Sequence, residues 1–306
     1  MKVGILGCSS IAERCIIPAI KKIKEARLSG VASRNSDKAI AWGIEHGTKP
    51  YTYEDLLLSD VDVVYVSLPP GLHYEWGKKV LLSGKHLLME KTFTTNSQDA
   101  IELFNIAKLK NLKCMEALMY EFHPVQNEID SLLEKIGDVK HVDASFCFPH
   151  FTNKADIRYN KDLGGGSIYD SLIYPLSFVH RILGKSYKDC YHYLIENDVI
   201  ERGTICLTYP NAIANINFGF GQAYRNEITI SGAKEIIKAE RVFSRTPDSI
   251  NPIHLISNGD IESLQINKSD QFENMISFFM SASIKTLYKK ELNTISRLKF
   301  MDKITK

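Results

Sequence analysis

The first chemistry legible in the chain is a cradle for phosphate. Val3-Gly4-Ile5-Leu6-Gly7-Cys8-Ser9-Ser10-Ile11-Ala12 carries an apolar run into a glycine, then small and hydroxyl residues, then a helical pattern. A strand that turns tightly into a helix aims the unbonded N–H groups of that helix outward, where an anionic pyrophosphate can take them. In that arrangement Gly7 makes the turn, Cys8, Ser9, Ser10 and Ile11 line the approach to phosphate, and Ala12 lets helix and strand pack closely. Ser9 stands where a second glycine would bring the backbone nearer, and its hydroxyl can donate in compensation. A plain tight turn is the competing reading, because the spacing alone is weakly specific.

A dinucleotide also needs an anchor for its adenosine ribose, and the next apolar run ends in Ala32-Ser33-Arg34. A carboxylate at that tip would accept from a ribose 2′-hydroxyl, whereas a cation accommodates a 2′-phosphate. No acid occupies it. The Arg34 guanidinium can stack on adenine or pair with phosphate, and Ser33 can donate to the same group. The tip favours NADP(H) over NAD(H), with a solvated loop arginine as the alternative.

These groups need a sheet to hold them. Apolar runs at Val3–Gly7, Leu28–Ser33, Val63–Leu68, His86–Glu90 and Lys113–Ala117 alternate with helical spacing at Ile11–Lys24, Ser36–His46, His73–Ser83 and Ser97–Leu109. That alternation predicts a doubly wound parallel α/β sheet. After Tyr120 a helical stretch to about Glu134 gives way to longer alternating runs: His141–Phe148, Gly203–Tyr209, Ile213–Phe218 and Asn226–Ile230. They predict an α+β domain on an open, mainly antiparallel sheet. Gly164-Gly165-Gly166 leads into a helix over Ser167–Leu183, and two helices close the chain near Gln271–Leu287 and Leu292–Ile304. The expected domains are 1–119 and 120–306, with the last helix, about 290–306, packing back on the first.

Composition narrows the classes. A length of 306 residues suits two domains, and 44% hydrophobic with 24% charged residues supports packed cores. Lys plus Arg at 38 against Asp plus Glu at 36 gives +2, too balanced for a nucleic-acid partner. Cys8, Cys15, Cys114, Cys147, Cys190 and Cys206 lack zinc-like spacing and close pairing, so neither a metal nor a disulfide framework is expected. No apolar run is long enough to cross a bilayer. A soluble cytoplasmic protein is the expectation.

Five ordered segments then resemble one family. They are the Gly7 turn, Ser67-Leu68-Pro69-Pro70-Gly71-Leu72-His73, Met89-Glu90-Lys91-Thr92, Glu116-Ala117-Leu118-Met119-Tyr120-Glu121-Phe122-His123-Pro124, and Asp156-Ile157-Arg158 through Gly164-Gly165-Gly166 to Asp170 and Tyr174-Pro175. Together they resemble the Gfo/Idh/MocA oxidoreductases, nearest to the dihydrodiol and sugar dehydrogenase branch, from residue 1 to about 184. The resemblance implies a Rossmann domain, a second domain on an open antiparallel sheet, and substrate bound between them over the nicotinamide. It implies hydride transfer on an alcohol/ketone pair of a sugar, cyclitol or polyol. Lys91 matches the family's catalytic lysine, Asp170 its substrate-contacting acid and Tyr174 its proton-transfer residue. Leu68, Pro69, His73 and Glu90 fall along its cofactor positions, and Arg158 becomes a candidate clamp for a substrate oxygen, a surface ion pair being the alternative. The chain departs from the pattern at Thr92, where proline is usual, at Leu172, where glycine is usual and added bulk would narrow the pocket, and at Glu121, where arginine is common.

The chemistry follows from those types. Hydride moves between nicotinamide C4 and a carbonyl carbon, and the alkoxide that develops must receive a proton. A tyrosine of ordinary pKa near 10 gives one reluctantly, and an adjacent ammonium makes it a better acid. Lys91 is expected to do this for Tyr174 while also binding the substrate oxygen. Asp170 and Tyr174, four apart on an expected helix, would share a face. The same machinery would serve a nucleotide-sugar ketoreductase, and a non-catalytic dinucleotide-binding regulator is the other class. A homodimer or homotetramer through the second domain's sheet is expected by analogy with the fold.

Overall fold

The computed structural model describes residues 1–153 and 155–305. Two compact units emerge, Met1–Leu118 with Phe272–Lys306, and Met119–Gln271. In the first, β1 (Lys2–Leu6), β2 (Arg27–Ala32), β3 (Pro50–Tyr51), β4 (Val63–Val66), β5 (His86–Glu90) and β6 (Cys114–Ala117) form a parallel sheet in the order β3-β2-β1-β4-β5-β6. Strands covered on both faces select unbroken apolar runs, and β4 and β6 are buried throughout. The connecting helices are α1 (Ile17–Lys22), α2 (Ser36–His46), α3 (Tyr53–Leu58), α4 (His73–Leu82) and α5 (Ser97–Leu109). Asn35, Thr52 and Asn96 cap α2, α3 and α5 by accepting from Lys38, Asp55 and Asp99 N–H groups. Strand order reverses between β1 and β4, which opens a crevice at the carboxyl ends of those two strands. This is the expected Rossmann architecture.

The second unit holds α6 (Val125–Ile136), β7 (Val139–Phe148), α7 (Ser167–Asp170), α8 (Ile173–Leu183), β8 (Asp189–Glu196), β9 (Ile200–Thr208), β10 (Ile213–Phe220), β11 (Arg225–Gly232), β12 (Ile236–Glu240), β13 (Ile253–Ser257) and β14 (Asp260–Leu264). The sheet order is β14-β13-β12-β11-β7-β10-β9-β8, with β7 and β10 parallel and the other neighbours antiparallel. In register, Ile205, Ile216, Ala144, Ile228 and Ala239 make one buried row, while Cys206, Asn215, Asp143, Thr229 and Lys238 face the other way and stay partly or fully exposed. Helices α6 and α8 pack against this sheet. The mainly antiparallel α+β domain is as expected.

Three boundaries differ from the sequence reading. The unit that begins at residue 119 ends at Gln271, and the whole segment from Phe272, with α9 (Gln271–Ser281) and α10 (Ile284–Ile304), groups with the first unit. Lys113 Nζ donates to the carbonyls of Phe279 (3.0 Å) and Met280 (2.6 Å), and α10 packs on α5 and β6. The break between the last two helices falls at Ser283, which caps α10 by accepting from Thr286 N–H at 3.1 Å, rather than between 287 and 292. The expected continuous helices over 11–24 and 167–183 are each interrupted: a π turn over Ala12–Ile16 precedes α1, and Ser171-Leu172 separates α7 from α8. Both second segments carry proline in their first turn, Pro18 and Pro175, where no N–H is needed. Neither proline could sit deep inside one uninterrupted helix.

Candidate functional site

At the crevice, Gly7 adopts φ +106°, and a Cβ there would lie 2.9 Å from both Ser67 O and Leu68 Cδ2. Its N–H donates to Ala32 O at 3.0 Å and its carbonyl accepts from Ser67 Oγ at 2.6 Å, so the tips of β1, β2 and β4 are tied at one residue. The Ser9 hydroxyl accepts from Ala12 N–H at 3.2 Å. It caps the helix start with a lone pair, and a hydroxyl used in this way as an acceptor still has a hydrogen to donate. Cys8 Sγ lies 3.7 Å from Ala32 O, and burial pushes its thiol up to about 11, so it is neutral near pH 7. Ser10 accepts from Arg14 Nε at 3.0 Å. At the tip of β2, the buried Ser33 accepts from Asn35 N–H at 3.1 Å, and Arg34 is exposed.

The lysine loop follows β5. Lys91 is half-buried, the Lys91–Thr92 peptide is cis, and Thr92 and Phe93 are fully buried. Glu90 accepts the Lys91 N–H at 3.0 Å and a hydrogen bond from the buried Tyr65 hydroxyl. Burial pushes the Glu90 carboxyl upward, against the lowering effect of the Tyr65 bond and the Lys91 charge. His73 is fully buried, with Nδ1 2.8 Å from Thr92 O and Nε2 2.7 Å from Leu68 O, so both ring nitrogens face backbone carbonyls. As a neutral ring it carries one N–H and donates to one of these two carbonyls, according to its tautomer.

In the second unit, Arg158 Nε donates to Asp170 Oδ2 at 2.9 Å and Nη1 to Asp156 Oδ1 at 3.1 Å, with the guanidinium carbon 4.4 Å from the Phe151 ring centroid. The three glycines serve this pairing. Gly165 and Gly166 donate to the carbonyls of Asn160 and Arg158, both at 2.8 Å, and a Cβ on Gly165 would lie within 2.6–2.8 Å of three carbonyl oxygens of the 157–160 loop. Close approach to the chain's own backbone is therefore what they allow. Tyr174 is buried, its hydroxyl 3.7 Å from Met119 Sδ and its ring against Phe146 and Tyr120, with centroids 4.9 and 5.9 Å away. Because the helix breaks at Ser171-Leu172, Asp170 and Tyr174 do not lie on one continuous helical face. Leu172 is fully buried in the core and lines no open surface.

The structure thus gathers Gly7, Ser9, Leu68 and the lysine loop in the first unit, and Arg158 with Asp170 in the second. Two contributors escaped the sequence reading, Tyr65 and Glu116. The signal for Glu116 was present: an acid inside the buried run Cys114-Met115-Glu116-Ala117 must have partners.

Residues 1–118 match the model of the oxidoreductase family with an NAD-binding Rossmann fold, and residues 130–238 match the GFO/IDH/MocA C-terminal domain. The dTDP-3,4-didehydro-2,6-dideoxy-alpha-D-glucose 3-reductase of Actinomadura kijaniata is 32% identical over 300 residues, 95% of this chain and 90% of that protein. D-xylose 1-dehydrogenase (NADP(+)) 2 of Haloferax volcanii is 35% identical over 188 residues, 60% of this chain and 58% of that one. Among solved structures, KijD10, a 3-ketoreductase from Actinomadura kijaniata in complex with NADP and TDP-benzene, superposes with a TM-score of 0.93 at 30% identity, covering 99% of this chain and 96% of that one. Two matched domains in order and full-length similarity agree with the strand topology and the glycine turn, and the chain belongs to the GFO/IDH/MocA family of oxidoreductases.

Proposed function

We propose that the chain is an NADP(H)-dependent oxidoreductase that moves a hydride between nicotinamide and an alcohol/ketone pair on a sugar ring, most specifically a nucleotide-linked sugar. The reading of the substrate is carried by coverage: the 3-reductases of dTDP-linked sugars match nearly end to end, whereas the xylose dehydrogenase matches 60% of this chain. A free sugar or polyol is the second reading, and that xylose dehydrogenase favours it. Bound NADP would supply the hydride donor or acceptor. The groups that fit it are the Gly7 turn, the Ser9 hydroxyl and the exposed Arg34 beside Ser33.

Lys91 then hydrogen-bonds the substrate oxygen and stabilises the charge that develops on it, Tyr174 gives or takes the proton, and Asp170, held by Arg158, contacts a neighbouring hydroxyl. Structures of KijD10 variants altered at a lysine and at a tyrosine concern the same two residue types. A homo-oligomer joined through the outer face of the eight-stranded sheet belongs to the same proposal. That face carries Tyr191 and Tyr193, 64% and 73% exposed, together with Ile213 and Ile261. Cytoplasmic placement is consistent with six free thiols, and no helix among the described residues is long and apolar enough to cross a membrane.

The test is NADPH oxidation, followed by absorbance, against a panel of nucleotide-linked keto sugars, free keto sugars and inosose. Turnover with a nucleotide-linked sugar, and slower turnover with NADH, is expected. Binding of NADPH with no hydride transfer to any carbonyl would replace this account with the non-catalytic regulator.

A further inference from the structure

Thr92 has no ring to fix its backbone, so the aim of the neighbouring Lys91 depends on what holds the peptide that follows. That peptide is held at both ends by buried side chains. With its N–H on Nδ1, His73 donates to the Thr92 carbonyl at 2.8 Å, and the Phe93 N–H donates to Glu116 Oε1 at 2.9 Å. Phe93 itself is fully buried and stacks on Phe104 of α5, with centroids 4.5 Å apart. The other carboxylate oxygen of Glu116 accepts from Thr294 Oγ1 at 2.9 Å and pairs with Arg297, both on α10. Glu116 is 5% exposed and Arg297 4%.

A buried ion pair of this kind is weak evidence for stability, since well-packed apolar residues of similar volume serve about as well. An apolar pair, however, offers no acceptor to the Phe93 N–H. We propose that Glu116 and His73 are positioning residues for Lys91, that they grip the Thr92–Phe93 peptide from opposite ends, and that Arg297 of α10 holds Glu116 in place for this purpose. The inference rests on the proposed role of Lys91. It makes the final helix, 181 residues away from Glu116 in sequence, part of the support of the active-site loop.

The experiment uses the full chain and whichever carbonyl substrate the wild type reduces. Glu116→Leu combined with Arg297→Met removes both charges together, so neither charge is left buried alone, while the Phe93 N–H and the Thr294 hydroxyl lose their acceptor. It is expected to lower kcat about ten- to a hundredfold, as a small misplacement of a reacting group does, while the KM for NADPH stays within roughly threefold. Glu116→Gln with Arg297→Met keeps an acceptor for the Phe93 N–H and is expected to recover most of the lost rate. In a Lys91→Met background the Leu/Met pair should cost nothing more, because its effect acts through the lysine. Equal kcat in the Leu/Met and wild-type proteins, or the full loss persisting without Lys91, overturns the proposal. If the Leu/Met protein does not fold, His73→Ala against His73→Gln reads the other grip by the same criteria. If Lys91→Met keeps wild-type turnover, the role of the lysine fails on its own. The grip is then judged by hydrogen exchange at the Phe93 amide, expected faster in Leu/Met than in Gln/Met, with equal exchange overturning it.

Discussion

At the scale of single residues, the crevice depends on groups whose replacement has a calculable sign. Gly7 combines φ +106° with a closed environment, so Gly7→Ala meets both backbone strain and contact with Ser67 O and Leu68. The expected cost is about 1–3 kcal/mol, visible in denaturant unfolding, together with weakened NADPH binding. Arg34 is exposed, so under the proposed function Arg34→Ala should leave stability unchanged and raise the KM for NADPH by about tenfold or more, with little change for NADH. Equal effects on both cofactors would remove Arg34 from 2′-phosphate recognition. The turn at Gly7 and the strand tip at Ser33-Arg34 were legible in the sequence as local structure, because both are fixed by neighbours in the chain. The partners of Arg158 and His73 were not. A guanidinium can meet many carboxylates, and only the fold selects Asp170 and Asp156; an imidazole four residues past a proline gives no hint that it lies between two carbonyls.

At the scale of elements, the strands of the first sheet were legible because burial on both faces leaves an unmixed apolar signature. Pairs of helices were not separated correctly where the apolar period ran on through a break. The signals that separate them were single residues: Pro18 and Pro175, which need a first turn, and Ser283, which caps one. If Ser283 starts α10 as its bond to Thr286 implies, Ser283→Ala should cost about 1 kcal/mol and lower Tm by a few degrees, while Ser283→Asp should be nearly neutral. An unchanged Tm in the alanine variant would mean that packing alone sets the helix start. Strand β8 shows little burial on either face and the β13–β14 hairpin is half exposed, so alternation is faint there and neither was legible beforehand.

At the scale of the whole molecule, buried neutral histidines make stability fall as pH falls. Burial, and secondarily the Arg245 charge, lowers His123 to about 4, from an ordinary 6.5. Above pH 6.5 both folded and unfolded forms are neutral and the group contributes nothing. Between 6.5 and about 4 the unfolded chain binds a proton that the folded one refuses, so stability falls as pH falls, by up to about 1.4 kcal/mol per pH unit for each such proton. His73 and His86 are also shifted downward by burial and act in the same direction. Denaturant midpoints measured at pH 7, 6 and 5 should decline, and His123→Asn should flatten the decline; a parallel curve for that variant would assign the acid sensitivity elsewhere.

The central claim of the proposed function is that Lys91 and Tyr174 handle the substrate proton during hydride transfer. Single-turnover NADPH oxidation in Lys91→Met, Tyr174→Phe and the double variant tests it most directly. Each single change is expected to slow the step by about two orders of magnitude or more, with NADPH affinity retained and the double variant little worse than the slower single. Wild-type rates in either single variant, or losses that simply multiply in the double, would contradict it.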